Sequence, residues 1–348
     1  MKKLVSLFLV TTMVFTVSAC GSSSQGSSDA GSQTSTTTGG EASEEAVTIK
    51  MATGGQDTLP SYATVLEVID KVTGANENIE FEYYGARQLG DDAEILQQVM
   101  AGTINMGGTA ASAFSTYTNL LEALTIPFLL NDYEKERAAM TAEETQVLFD
   151  RIEEELGIKV LVSYDSGMRH LANNVRPIET IEDLSGLKMR VVPSDILIAS
   201  FTAMGANPTP LAYGEIYTGL QNKVIDGEEI NITSIYSEKH YEVISYFTEI
   251  GIYPFATCIF ANADWFNGLD QKVQDALTNG FVEGYDYLFD KYLPEAEAAG
   301  FKAMEEQGVE VTKIEDVSAF RDAVKSITDE FKTKDEAIAN FIDMAEKL

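Results

Sequence analysis

The sequence predicts an α/β fold built as two domains. Segments in which apolar residues alternate are followed repeatedly by segments with helical apolar spacing, and this order predicts open sheets covered by helices. The 348-residue chain keeps about 300 residues after its polar N-terminal region, which is more than one hydrophobic core usually organises. Open α/β sheets bind ligands beyond the carboxyl ends of their strands, so we expect a ligand site there.

Strands are predicted where apolar residues alternate or form a short run. They cover Val47–Met51, Ile79–Tyr83, Ile158–Tyr164 and Leu187–Val192. The apolar sequence around Cys258 is also typical of a buried strand. With Cys20 processed it would be the chain's only cysteine, so we expect an inert, buried thiol and no intrachain disulfide.

Helices are predicted between the strands from apolar spacing and from residues that begin or end helices. Asp91 offers a cap for a helix that runs to Met100. Thr141 and Glu144 have the spacing of a capping box that opens a helix to Leu156. The other helices cover Tyr62–Val72, Ser194–Met204, much of Asp270–Glu306 with a bend or interruption expected at Pro294, and Val317–Leu348.

The N-terminal region has the pattern of an exported lipoprotein. Lysines at positions 2 and 3 precede a short apolar run, Leu4–Val17, as in an export signal. The run ends in Val-Ser-Ala-Cys, a lipobox pattern, so we expect a signal peptide over residues 1–20 and lipidation at Cys20. A non-lipidated signal cut near Ala19 is the alternative. Residues 21–46 are rich in Ser, Gly and Thr and predict a flexible tether between a membrane anchor and the extracytoplasmic body.

The composition argues against several classes of function. A formal charge of −31 disfavours nucleic-acid binding, which requires basic surface. Two histidines and one remaining cysteine make no convincing zinc site, and the chain lacks the H-E-x-x-H, C-x-x-C and G-x-S-x-G motifs. We therefore expect no metal, no cofactor and no catalytic residues.

Arginines are concentrated in one stretch of this acidic chain. Arg169, Arg176 and Arg190 lie within 22 residues and account for three of its seven arginines. An anionic ligand would be repelled at long range, so a local arginine must capture it. Arg176 precedes a proline and is expected in a surface loop.

The order of short motifs in this region is characteristic. These motifs are Gly-Met-Arg at 167–169, Arg-Pro-Ile at 176–178, DLSGLKMRV at 183–191, MGANP at 204–208 and EIYTGLQNKVIDGEE at 215–229. The order resembles the core signature of the DctP-type substrate-binding proteins of TRAP (tripartite ATP-independent periplasmic) transporters. The resemblance extends over nearly all of residues 47–348.

The resemblance implies a periplasmic-binding-protein-like fold. Two α/β lobes with a hinge would be joined by crossover strands and spanned by a long helix. Lobe I would comprise residues 47–166 and about 256–295, and lobe II residues 167–255 and about 296–348.

Arg190 and Arg169 are the principal candidates for ligand binding. Arg190 lies near the carboxyl end of its predicted strand, on the face opposite Met189, and its guanidinium offers two parallel donors to a carboxylate. The family's matching arginine binds the substrate carboxylate. A structural salt bridge is the alternative for Arg190. Arg169 matches a second family arginine that reaches the cleft, with a structural role between lobes as its alternative.

Two further residues are implied by the resemblance. Tyr213 matches an aromatic position that lines the cleft, although core packing would also account for it. Asp92 matches a position near the ligand, although helix capping would account for it alone.

Two departures from the family pattern restrict the ligand. The family often has asparagine directly after the glutamate of D-G-x-E, whereas this chain has Ile230 there and Asn231 one place later. Members that bind sialic acid carry a glutamate where this chain has Ala110, so sialic acid is disfavoured. The arginines still favour a small organic acid as the ligand, such as a C4-dicarboxylate or a sugar acid.

The resemblance implies capture of a small carboxylate and its delivery to a TRAP membrane permease driven by an ion gradient, without bond chemistry. An ABC-type solute-binding lipoprotein is one alternative. A surface hydrolase is another, disfavoured because no nucleophile and base are evident in the motifs.

Overall fold

A computed structural model describes residues 46–348, which belong to one compact unit. The predictions for the signal peptide, for lipidation at Cys20 and for the tether up to residue 45 lie outside the described residues. In the described part of the chain, no helix has both the length and the apolar character needed to cross a membrane.

Within residues 46–348, ten strands form one continuous sheet. They are β1 (Val47–Thr53), β2 (Ile79–Tyr84), β3 (Met106–Ala110), β4 (Ile158–Asn173), β5 (Lys188–Val191), β6 (Asn207–Pro210), β7 (Gly227–Asn231), β8 (Tyr246–Glu249), β9 (Pro254–Asn262) and β10 (Glu310–Lys313). The main order is β2-β1-β3-β9-β4-β7-β5-β6, and β8 pairs with both β4 and β10.

Twelve α-helices of the described residues pack around the sheet. They are α1 (Pro60–Ala75), α2 (Asp92–Met100), α3 (Tyr133–Met140), α4 (Glu143–Leu156), α5 (Asp195–Ala203), α6 (Ile216–Gln221), α7 (Ile232–Ser237), α8 (Ala263–Asn267), α9 (Gln271–Tyr287), α10 (Leu293–Gln307), α11 (Ser318–Phe331) and α12 (Glu336–Ala345). The predicted α/β class is therefore confirmed.

Strand β4 divides the sheet into two parts. Its first half pairs with β9, next to β3, β1 and β2, and we call this part the first sheet. Its second half pairs with β7 and β8, next to β5, β6 and β10, and we call this part the second sheet. The pairing with β9 shifts register between Asp165 and Met168. Gly167 has a φ of +118°, a conformation open to glycine and strained for other residues. This irregularity lies directly before Arg169.

A long helical segment connects the two parts, as the resemblance implies. Helix α9 packs on α1, which covers the first sheet, and α10 packs on α7, which follows β7 of the second sheet. A π-helical turn, Leu288–Tyr292, separates α9 from α10, and Pro294 lies in the first turn of α10. The predicted interruption near Pro294 is confirmed. Its physical reason is that proline lacks the N–H that a regular helix would use. The lobe boundaries given above stay a prediction.

Two local predictions have clear outcomes at this level. Cys258 lies in β9 with no exposed surface, and burial raises the pKa of its thiol to about 12, which confirms the buried thiol. The capping box at Thr141 is wrong. Ala142 is the cap residue of α4, while the Thr141 hydroxyl donates to the carbonyls of Arg137 and Ala138 at the end of α3.

Candidate functional site

The four side chains that the sequence singles out for ligand contact line one cavity. The cavity has a volume of about 140 Å³, and Arg169, Arg190, Tyr213 and Asp92 all lie on its wall. Its remaining wall residues come from the start of α2, from the 3-10 helix that follows β3 and from residues at or near strand ends: Asp91, Ala93, Ala110, Ser112, Ala113, Ser115, Thr116, Val192, Pro193, Ala212 and Phe255. The cavity therefore occupies the cleft between the two sheets, and direct ligand contact by these residues stays a prediction.

Arg169 and Arg190 share one buried carboxylate, that of Glu229. Nε of Arg169 donates to Oε2 of Glu229 at 2.6 Å, and Nη1 of Arg190 donates to Oε1 at 3.3 Å. The hydroxyl of Tyr253 donates to Oε2 at 2.8 Å, and the backbone N–H of Val192 donates to Oε1 at 3.0 Å. Glu229 has no exposed surface. Four donors thus fix this carboxylate between the two guanidinium groups.

The other contacts of the arginines leave donors on each guanidinium. Arg169 also donates to Oδ1 of Asn231 at 2.8 Å and to the carbonyl of Glu229 at 2.7 Å. Arg190 donates twice to the carbonyl of Leu211, at 3.1 and 3.0 Å. A guanidinium has five N–H groups, and these contacts within the described residues use three on each arginine. Two N–H groups per arginine are therefore not used in these contacts.

Both guanidinium groups contact the carboxylate of Glu229. Glu228 lies on the opposite face of β7 with His240 at 3.0 Å, and its carboxylate also acts to raise the pKa of both arginines. Burial lowers the pKa of Arg169, but the attraction of Glu229 outweighs this and the net shift is upward. Burial lowers the pKa of Arg190, only partly offset by Glu229, yet an arginine stays protonated at neutral pH. Both arginines therefore bring a positive charge to the cavity wall.

The side chain of Asp92 does not cap helix α2. The cap of α2 is Asp91, whose side chain accepts from the N–H of Asp92 at 3.0 Å and whose own N–H donates to Glu94 at 2.7 Å. Burial raises the pKa of the Asp92 carboxyl to about 8, and the charge of Asp91 adds to the shift. Asp92 is therefore mostly protonated at pH 7 and can donate a hydrogen bond into the cavity.

Aromatic rings complete the wall. The ring of Tyr213 is largely buried, and the guanidinium carbon of Arg87 lies 5.3 Å from its centre. The ring of Phe255 lies 4.8 Å from the guanidinium carbon of Arg169, within the range of a cation–π contact. Such rings offer flat surfaces to the carbon skeleton of a ligand.

Sequence reasoning missed the roles of Glu229 and Phe255. Glu229 belongs to the D-G-x-E motif, which was the available signal, whereas no pattern indicated Phe255. Asn231 is not among the residues of the cavity wall. Its side chain accepts from Arg169 and donates to the carbonyl of Ser166 at 2.6 Å, so it connects Arg169 to the irregular part of β4.

Comparisons with known proteins agree with this architecture. A family model described as bacterial extracellular solute-binding protein, family 7, matches residues 60–335. A solute-binding protein of Chromohalobacter salexigens is 30% identical over 275 residues, covering 78% of this chain and 79% of that protein. The 2,3-diketo-L-gulonate-binding periplasmic protein of Escherichia coli K12 is 31% identical over 254 residues, covering 71% of this chain and 75% of that protein.

A solved structure agrees as well. A TRAP periplasmic solute binding protein from Sulfitobacter sp. NAS-14.1, with bound β-D-galacturonate, has a TM-score of 0.81 and 25% identity and covers 87% of this chain and 100% of that chain. The two-lobe fold implied by the resemblance is thereby confirmed. With the family model spanning most of the described residues, the chain belongs to bacterial extracellular solute-binding protein family 7, the DctP-type substrate-binding proteins of TRAP transporters.

Proposed function

We propose that the protein captures a small organic acid outside the cytoplasm and delivers it to a TRAP-type permease driven by an ion gradient. The observation that carries the proposal is the pair of buried guanidinium groups on the cavity wall, those of Arg169 and Arg190, each with two N–H groups that the contacts described above do not use. Membership of the family favours this partner over the ABC-type alternative. The chain itself performs no bond chemistry in this proposal.

The cavity wall favours a hydroxylated monocarboxylate over a dicarboxylate. In this proposal the ligand carboxylate binds the two arginines, and the rest of the ligand lies against the polar part of the wall. The polar residues there are Asp91, Asp92, Ser112, Ser115 and Thr116. These groups suit hydroxyls, whereas a second carboxylate would meet the charge of Asp91. The Sulfitobacter structure contains bound β-D-galacturonate, and the Escherichia coli protein is named for binding 2,3-diketo-L-gulonate. Both ligands are sugar-derived acids. We therefore favour a sugar acid over a C4-dicarboxylate.

Calorimetric titration with D-galacturonate, D-glucuronate and succinate tests the ligand class. A sugar acid should bind one site per chain and more tightly than succinate. Tighter binding of succinate than of every sugar acid would contradict the preference, while absence of binding by any small carboxylate would contradict the proposed function.

The protonated state of Asp92 predicts a pH dependence of binding. The carboxyl is neutral below its pKa of about 8 and charged above it. Affinity for the best-binding acid should therefore be steady below about pH 8 and fall above it, because a charged Asp92 cannot donate and repels the ligand carboxylate. Asp92→Asn stays neutral and should remove this fall when affinity is titrated against pH.

Asp91→Asn is the matched control for this experiment. Asparagine caps a helix about as well as aspartate, so α2 should persist. Because the charge of Asp91 helps to raise the pKa of Asp92, the fall in affinity should remain but begin at a lower pH than in the parent. Identical pH profiles for the parent and Asp92→Asn would show that another group titrates.

The site acts outside the cytoplasm, and the lipobox motivates an anchor at Cys20. Lipidation of Cys20 would keep the carrier beside its permease, because each buried methylene contributes about 0.8 kcal/mol to membrane binding. Cys20→Ser is expected to move the protein from the membrane fraction to the soluble fraction. Full retention of this variant in the membrane fraction would remove Cys20 as the anchor.

A further inference from the structure

An ion pair crosses the cleft beside the cavity. Arg87 follows β2 of the first sheet, and Glu238 follows α7, next to β7 of the second sheet. Nη1 and Nη2 of Arg87 donate to Oε1 and Oε2 of Glu238 at 2.9 and 3.0 Å. The arginine side chain is 20% exposed and the carboxylate side chain 13%. We call Arg87 and Glu238 the cross-cleft pair. Two parallel charged hydrogen bonds give it a defined geometry and shield it partly from solvent.

The backbone on both sides of the cross-cleft pair is strained. Ala86 and Arg87 have φ values of +52° and +62°, and Lys239, which follows Glu238, has a φ of +59°. Such values are uncommon for residues other than glycine, and strained residues cluster at ligand clamps and switches. The first two are held by bonds from their N–H groups to the carbonyls of Gly55 and Thr53, at 3.0 and 3.1 Å. Arg87 thus belongs to a strained segment and contacts Glu238 on the other side of the cleft.

The cross-cleft pair is connected to the ligand cavity through Tyr213. Neither Arg87 nor Glu238 lies on the cavity wall, but the guanidinium carbon of Arg87 lies over the ring of Tyr213, 5.3 Å from its centre, and Tyr213 does lie on the wall. Burial lowers the pKa of Arg87, but bonding to Glu238 raises it overall, so the guanidinium keeps its charge. Gly214, which follows Tyr213 in the chain, has its backbone nitrogen 3.5 Å from the carboxylate of Asp91. Contacts from both sheets thus converge on this edge of the cavity.

We propose that the cross-cleft pair positions Tyr213 over the bound acid and holds the two lobes together, so that it sets how long the ligand stays. This proposal rests on the proposed function. The pair can form only when the ends of the two sheets approach, so its interaction favours the closed arrangement of the lobes. An interaction of this kind slows dissociation more than it speeds association. Arg87 and Glu238 are positioning residues, since they act on the ligand through Tyr213.

A ligand-free measurement tests the closing effect directly. Glu80 in β2 and Lys188 in β5 are exposed and belong to different sheets, so cysteines placed there can carry spin labels. The full chain with Cys20→Ser is suitable, because Cys258 is buried and remains unreactive. Distances between the labels, measured by pulsed electron resonance, should include a short-distance population that decreases in Arg87→Gln and in Glu238→Gln. Unchanged distributions in both variants would overturn the proposal.

Dissociation kinetics with the best-binding acid of the panel form the second measurement. Each single variant should raise the dissociation rate roughly five- to twentyfold and change the association rate little. The double variant Arg87→Glu, Glu238→Arg should recover part of the loss, which a general loss of stability would not allow. Unchanged dissociation rates in both single variants would overturn the proposal.

A matched control pair lies within one side of the molecule. Lys159 in β4 and Glu153 in α4 are 2.7 Å apart and 27% and 24% exposed, similar to the cross-cleft pair, but they do not cross the cleft. Lys159→Gln should leave both the label distances and the dissociation rate unchanged. If no acid binds, the proposed function fails while the label distances still decide the fate of the cross-cleft pair.

Discussion

Arg190→Lys should lower affinity for the bound acid by roughly tenfold to a hundredfold, since charged hydrogen bonds contribute about 1.5 to 3 kcal/mol each. Three nitrogens of Arg190 are engaged, two with the carbonyl of Leu211 and one with Glu229. A lysine ammonium is a single point charge and cannot keep these contacts while also presenting two donors to a ligand. Isothermal titration calorimetry with the best-binding acid measures the change.

Arg176→Lys is the matched control for Arg190→Lys. Arg176 lies in the loop after β4 and donates to the carbonyls of Asp183 and Ser185, outside the cavity wall. Its replacement should leave affinity unchanged. Equal affinity of the parent and Arg190→Lys would remove Arg190 from the site and leave Arg169 as the better candidate.

Glu229→Gln should destabilise the protein by about 3 to 5 kcal/mol, the usual effect of breaking a buried ion pair on one side. The carboxylate has no exposed surface and receives donors from Arg169, Arg190, Tyr253 and the backbone of Val192. Its loss leaves two buried guanidinium groups without the carboxylate that both of them contact. Denaturant unfolding at neutral pH measures the difference in the free energy of unfolding.

Glu153→Gln is the control for the stability measurement. Glu153 pairs with Lys159 at a partly exposed site, where ion pairs contribute about 0 to 1 kcal/mol. An effect of Glu229→Gln no larger than that of Glu153→Gln would mean that Glu229 does not hold the two arginines in the way described.

The individual candidate residues of the site were easier to predict from sequence than the contacts between them. Arg190 stands out because it interrupts an apolar strand of an acidic chain, and Arg169 because of its short motif. Their common partner Glu229 lies 60 positions from Arg169 and 39 from Arg190, so only the pairing of β4 and β5 with β7 brings the three together. The same reason hides the cross-cleft pair, whose members are 151 positions apart.

The helices and strands could also be predicted from sequence only in part. Long periodic segments such as α1 and α9 are visible locally, whereas β6, β8 and β10 have four residues each and depend on pairing with distant strands. The C-terminal helical prediction, Val317–Leu348, is two helices in the structure, because the chain turns between α11 and α12. Asp335 begins the second helix by accepting from the N–H of Ala337 at 2.8 Å.

A crystal structure of the protein with its best-binding acid tests the central claim most directly. The account predicts one acid in the cavity between the sheets, with its carboxylate within hydrogen-bond distance of both Arg169 and Arg190 and its hydroxyls directed towards Asp92. An acid bound elsewhere, or bound in the cavity with its carboxylate turned away from both arginines, would contradict the account.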